Sequence, residues 1–202
     1  MRPAEGGGVE MRWIRLGIAA GLGASVAYPL LLVVPSPLVT TVLGALLGPL
    51  IGAASLGLCE LLRLHERSVT AVLGAISNIV AGALFCAMAL VQLAVRQGTD
   101  PVPGLVGVWL GLDVAWDVYI GLGTIAFAVA MLRHPRFGWW FAGSGLALGL
   151  LELVLNLGTF PTPPAEAGLV DIGPFVGLWY LAVTLRAWGS LGWARERLGF
   201  GS

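Results

Sequence analysis

Two pairs of polar side chains, each four residues apart, lie within long apolar runs of this sequence. Asp113 and Asp117 form one pair, and Glu152 and Asn156 form the other. Residues four apart share one face of a helix. Because an ionisable side chain inside a bilayer costs several kcal/mol, these acids are candidates for function. They can bind a cation, carry a proton or line a water-filled cavity.

The depths of the acids match if their helices run in opposite directions. At about 1.5 Å per residue, Asp113 lies roughly 13 Å and Glu152 roughly 10 Å from the same membrane surface. Polar side chains of other predicted helices fall at a similar depth or nearer the midplane. We therefore expect one polar cavity in the outer half of the protein, and the candidate ligand- or proton-binding residues are Asp113, Asp117, Glu152, Asn156, Tyr28, Tyr180 and Asn78.

Six apolar stretches of the chain are long enough to hold these side chains in a membrane, since a helix needs about 20 mainly apolar residues to cross a bilayer. The chain has 202 residues, 57% of them hydrophobic, and a mean hydropathy of +0.90. Prolines and charged residues mark most boundaries. We predict an all-α, polytopic membrane bundle formed by a single domain, 1–202, with helices over 13–34, 38–62, 69–95, 105–132, 139–160 and 172–188 and short cytoplasmic tails over 1–12 and 189–202.

The arginines orient this bundle. The chain has 11 basic residues, all arginine, and Arg96 alone belongs to the side opposite the other ten. Because arginine collects in cytoplasmic loops, both termini are predicted to be cytoplasmic. The first apolar run is too long for a cleaved signal peptide, and its small residues lie inside that run, so it is predicted to remain as the first helix.

Glycines predict how the helices pack. The 30 glycines include strips spaced four apart, which permit close helix contact in a membrane. The strips serve either packing within the chain or a seam in a homodimer or larger membrane complex, with the second helix the strongest candidate for a dimer seam. They are Gly44–Gly48–Gly52, Gly107–Gly111, Gly145–Gly149 and Gly173–Gly177. Pro49 predicts a kink in the second helix.

Several cofactors and partners are not expected. His65 and His134 lie in predicted cytoplasmic loops, so no pair of histidines is available for haem, and a chain without lysine cannot form a retinal Schiff base. Zero net charge argues against nucleic acid. Cys59 and Cys86 differ by about 20 Å in depth, too far for a disulfide.

The chemistry of a metal site stays open at this stage. Carboxylates without histidine or thiolate partners suit Mg²⁺, Ca²⁺ or Mn²⁺ better than zinc. Glu60 lies close to Arg63 at the predicted inner surface, and we expect it to have a structural role.

Three stretches of the C-terminal half resemble segments of a family of uncharacterised bacterial multi-pass membrane proteins with six helices. They are WDVYIGLG at 116–123, LRHPRFG at 132–138 and TFPTPPAEAG at 159–168. The resemblance implies the cytoplasmic (inner) membrane of a bacterium and transfers no active residue.

Three functions are compatible with the sequence. The first is a membrane protein whose carboxylate and tyrosine cavity binds or conducts a proton, a cation or a small cationic or amphipathic ligand. The second is a non-catalytic accessory or scaffolding subunit of a larger membrane complex, as short loops and glycine strips suggest. The third is a membrane enzyme that uses the acids as acid and base on a lipid-like substrate. No nucleophile accompanies the acids, so the enzyme ranks last.

Overall fold

The computed structural model describes residues 4–97, 104–158 and 170–200, and most of these residues are helical. The helices are α1 (Ala4–Val33), α2 (Pro37–Arg63), α3 (Val69–Gln97), α4 (Leu105–Met131), α5 (Gly138–Leu157), α6 (Gly173–Trp188) and α7 (Leu191–Arg197). Five of them, α1 to α5, are long and apolar enough to cross a membrane. The prediction of an all-α fold is confirmed for the described residues, and five of the six predicted spans correspond to helices that could cross a membrane.

The stretch predicted as a sixth span forms α6, which is shorter than α1 to α5. It has 16 residues, which extend over about 24 Å, and it is not among the five helices that qualify by length and hydropathy. Helix α5 ends at Leu157, before the predicted end at residue 160. Residues 159–169, which precede α6 in the chain, lie outside the described part.

The helices pack in chain order around a ring. Each of α1 to α5 packs against the next helix, and α6 packs against both α5 and α1, which closes the ring. The largest buried core lies in the half that holds the N-terminal end of α1, where Ile14, Phe127 and Met131 are almost fully buried. The opposite half therefore has the looser interior.

Glycines bring the helix backbones together. A Cβ atom at Gly57 of α2 would lie 2.5 Å from the Cα atom of Gly17 in α1. Gly48 of α2 faces Gly82 of α3 in the same way. The second-helix strip, a candidate dimer seam in the sequence, is therefore occupied by α3 of the same chain. Helix α2 continues through Pro49.

Both ends of the described chain contain helix where the sequence predicts only short tails. Helix α1 begins at Ala4 rather than near residue 13, and the C-terminal tail contains α7. Met11 is buried, and a Cβ atom at Gly7 would lie 3.1 Å from the carbonyl oxygen of Leu198. Because the two tails pack on each other, each has a reason to be helical that hydropathy does not reveal.

A buried histidine organises the loop between α4 and α5. His134 is 2% exposed, and its Nδ1 atom accepts a hydrogen bond from the backbone N–H of Arg136 at 3.2 Å. Burial, and then the nearby His65, lowers the pKa of His134 to about 4, so the imidazole is neutral at pH 7. The Arg136 guanidinium donates to the carbonyl oxygen of Gly189 at 3.2 Å, which ties this loop to the end of α6.

The two cysteines and Glu60 have the partners that their positions allow. Cys59 and Cys86 are free thiols, in agreement with the prediction that they are too far apart for a disulfide. Glu60 forms an ion pair with Arg63 at 3.2 Å on the surface of α2.

The close approach of α1 and α2 can be tested with one methyl group. Gly57→Ala would place Cβ 2.5 Å from the Gly17 Cα atom and 2.7 Å from the carbonyl oxygen of Trp13. We expect a loss of about 1–3 kcal/mol, because backbone atoms must move. The measurement is the thermal unfolding temperature of purified protein in mild detergent.

Gly143→Ala is the matched control, because no atom lies within 4 Å of its Cβ position. This variant should unfold at or above the wild-type temperature. Equal temperatures for both variants would mean that α1 and α2 do not cross at Gly17 and Gly57.

Candidate ligand-binding cavity

A cavity of about 330 Å³ lies inside the ring, in its looser half. Its wall is formed mainly by α1, α2, α4 and α6, with one residue, Asn78, from α3. Most of the lining is apolar. The polar and aromatic side chains among the lining residues are Ser25, Tyr28, Ser55, Asn78, Trp116, Asp117, Tyr180 and Thr184.

Asn78 and Tyr180 form the centre of a hydrogen-bonded cluster at the cavity wall. The Asn78 amide donates to the hydroxyl of Ser55 at 3.0 Å and to that of Tyr180 at 2.9 Å. The Thr124 hydroxyl lies 3.1 Å from the Tyr180 hydroxyl. The cluster therefore links α2, α3, α4 and α6 through side chains. Gly123 makes room for it, because any side chain there would overlap the Asn78 carbonyl oxygen.

Asp117 joins the cavity to a second acid. It lines the cavity from α4, and its carboxyl group lies within hydrogen-bonding reach of the Glu152 carboxyl group of α5. Glu152 is 1% exposed and packs against Gly121, and its Oε2 atom has no hydrogen-bond partner among the described residues. Since an ionised carboxylate only accepts hydrogen bonds, a bond between the two acids requires a proton on one of them.

Tyr28 lines the cavity and lies beside Asp171, an acid that was not among the predicted site residues. The Tyr28 hydroxyl and the Asp171 Oδ1 atom are 2.8 Å and 3.0 Å from the position of a Cβ atom at Gly173. Asp171 also accepts a hydrogen bond from the backbone N–H of Gly173 at 2.9 Å. Asp171 thus satisfies one of the free N–H groups at the start of α6, although the N-cap residue is Ile172.

The structure places the predicted site residues in two groups. Tyr28, Asn78, Asp117 and Tyr180 line the cavity together. The other three, Asp113, Glu152 and Asn156, are not among its lining residues. Asn156 is buried and donates to the carbonyl oxygen of Glu152 at 3.1 Å. The charges of Asp113, Glu152 and Asp171 still act on Asp117, so the acids form one electrostatic group although only Asp117 lines the cavity.

Trp116 and Asp171 lie at or beside the cavity but were not among the predicted site residues, although their positions in the sequence could have indicated them. Trp116 lines the cavity next to Asp117 and packs edge-on against Phe85, with ring centroids 5.0 Å apart. Asp171 lies two residues before Gly173-Pro174, and proline in the first turn is typical of a helix start. In the part of the chain that is described, no three His, Cys, Asp or Glu side chains are grouped so that they could hold a metal ion.

The Asn78 cluster can be tested with the tyrosines of the chain. Tyr180→Phe removes the hydroxyl that accepts from Asn78 and Thr124, and we expect a loss of about 1–2 kcal/mol because buried donors lose their partner. Tyr119, which is 39% exposed on α4, provides the control Tyr119→Phe. Thermal unfolding of both variants in detergent measures the difference, and an equally stable Tyr180→Phe protein would rule out a structural role for the cluster.

The chain matches no protein-family model, no curated protein and no solved structure.

Proposed function

We propose that this protein is a six-span protein of a bacterial inner membrane that binds a small organic cation with an apolar body in the cavity lined by Asp117. The observation that carries the proposal is the cavity itself. Its volume of about 330 Å³ falls in the range of small-molecule sites, which combine a mostly apolar wall with a few polar groups.

The charge of the cavity favours a cation. None of its lining residues is basic, whereas Asp117 is acidic. The charges of Asp113, Glu152 and Asp171 act on the same position. A cation beside Asp117 would compensate this concentration of acidic groups, because opposite charges attract strongly where water is excluded.

The aromatic side chains favour an organic cation over a bare ion. Trp116, Tyr28 and Tyr180 all line the cavity. Aromatic faces attract quaternary ammonium and related cations by the cation–π interaction. A hydrated metal ion would leave most of the apolar wall unused. The proposed ligand therefore carries a delocalised or alkylated positive charge and an aromatic or aliphatic body.

The proposed topology has both termini in the cytoplasm and α6 as the sixth span. It is supported by the arginine distribution and by the packing of α6 between α1 and α5. A helix of 16 residues extends over about 24 Å, somewhat less than the hydrocarbon core. With six spans, the cavity lies in the half nearer the periplasm.

Tetraphenylphosphonium is a suitable test ligand, because it joins a single positive charge to an apolar body. We expect it to bind protein in lipid nanodiscs, and Asp117→Asn to weaken binding about tenfold or more, which corresponds to about 1.4 kcal/mol. Asp113→Asn and Glu152→Gln should weaken it less, since these residues act from behind the wall. Affinity should fall as the pH is lowered, because protonated acids no longer attract the cation. Equilibrium dialysis at several pH values measures these effects.

A filling variant separates binding in the cavity from binding to lipid. A side chain at Gly177 would begin 3.8 Å from the Tyr28 ring, so Gly177→Leu fills space without a backbone clash. It should abolish binding, whereas Gly143→Leu, on an open face of α5, should not. If wild type, Asp117→Asn and Gly177→Leu bind equally, the acids are structural and the proposal is wrong.

A second candidate function is an accessory subunit of a larger membrane complex. The Gly107–Gly111 strip of α4 is exposed, and no atom lies within 4 Å of either Cβ position. Such a strip lets a helix of another protein approach closely. In this case the protein would co-purify in mild detergent with a stoichiometric partner.

Labelling of single cysteines tests the topology. In a Cys59→Ala, Cys86→Ala background, we expect cysteines at Ser36, Thr99 and Thr162 to react in intact cells with a membrane-impermeant maleimide. A cysteine at His65 should react only after the inner membrane is permeabilised. Reaction of the His65 position together with the Ser36 position in intact cells would overturn the topology.

A further inference from the structure

We infer that the cavity takes its ligand from within the lipid bilayer, through a lateral opening between α1 and α6, and not from water. The inference rests on the proposed function for the identity of the ligand. The route itself follows from how the cavity wall is built.

The wall has a buried side and an exposed side. Its deep residues, such as Leu47, Ser55 and Val176, are almost completely buried. Its exposed members include Leu32, 62% exposed, and Leu178, 61% exposed. Pro29 and Pro174 are exposed beside them. All four belong to α1 or α6, so the described residues leave the cavity open between these two helices. We call these four residues the lateral opening.

The contacts between α1 and α6 differ along their length. At one end, a Cβ atom at Gly21 of α1 would lie 2.6 Å from the Thr184 hydroxyl of α6. Towards the start of α6, the α1 side chain next to its glycines is Tyr28: a Cβ atom would lie 3.8 Å from the Tyr28 ring at Gly177 and 2.8 Å from the Tyr28 hydroxyl at Gly173. Near the opening, therefore, Tyr28 is the side chain that lies across the gap between the two helices.

With α1 and α6 as spanning helices, the opening extends from their ends into the membrane: Leu32 and Pro174 lie next to the end of α1 and the start of α6. Leu178 follows the start of α6 by five residues, which places it about 8 Å along the helix, and Pro29 lies inside α1. The four side chains of the opening are leucine and proline, and the acid nearest to them, Asp171, lies before the start of α6 at the outer end. Apolar side chains on the outside of a spanning bundle contact lipid tails. A molecule that enters here must first dissolve in the membrane.

This geometry narrows the class of ligand to lipophilic cations. The apolar body would pass between Leu32 and Leu178, and the charged group would reach Asp117 at the inner wall. Compact cations without a large apolar body, such as tetramethylammonium, would enter much more slowly, because nothing offsets the cost of several kcal/mol for moving their charge from water into an apolar passage.

Two reagents that share one reactive group test the route. Gly177→Cys, in the Cys59→Ala, Cys86→Ala background, places a thiol in the cavity beside Tyr28. In proteoliposomes, we expect benzyl methanethiosulfonate to label it about tenfold or more faster than the charged trimethylammonium-ethyl reagent, since the charge cannot cross the apolar opening cheaply. A cysteine at Ser36, outside the helices, corrects for the intrinsic rates of the two reagents.

A matched pair of tryptophan variants locates the entrance. Leu178→Trp narrows the opening and should slow labelling by the benzyl reagent about tenfold. Leu185→Trp adds the same bulk on an exposed part of α6 that does not line the cavity, and should leave the rate unchanged. A Ser55→Cys variant repeats the measurement deeper in the cavity if Gly177→Cys does not fold.

Equal labelling by both reagents, or no effect of Leu178→Trp, would overturn lateral entry. The labelling needs no bound ligand. A protein that shows the lateral route but does not bind tetraphenylphosphonium would refute the proposed function alone, and a protein that binds it but is labelled from water would refute the route alone.

Discussion

Contact between helix backbones is the constraint on which this structure depends. Lipid tails are as apolar as the helices, so burial of apolar side chains does not drive the helices together, and close packing must replace it. Gly17 and Gly57 provide that packing between α1 and α2. Gly121 and Gly149 provide it between α4 and α5, and Glu152 is buried next to that contact.

The same glycines decide where polar groups can lie. Asn78 occupies the space that a side chain at Gly123 would need, and Tyr28 rests against Gly173 and Gly177. Each polar side chain is therefore placed by the absence of another side chain on the facing helix. Where the glycines face another backbone the bundle is closed, and where they face a single aromatic ring, as at α6, space remains for a ligand.

The sequence predicted the helices well and the cavity in part. Prolines and arginines placed the ends of α2, α3 and α4 within two residues, because a helix must end near the water interface. Depth matching brought together Tyr28, Asn78, Asp117 and Tyr180. Depth matching could not tell which of Asp113 and Asp117 faces the cavity, because two residues four apart differ by only a small rotation about the helix axis. The ordered tails arise from contacts between distant parts of the chain, which periodicity does not encode.

The ring of helices is closed by contact between its first and last members. Helix α6 closes on α1, and Gly7 near one end of the chain packs against Leu198 near the other. A short peptide that joined these ends, with a new break in the loop between α2 and α3, would keep every neighbouring pair of helices in place. The fold is therefore suited to circular permutation. The order in which the helices leave the ribosome does not have to be the present one for the same helices to become neighbours.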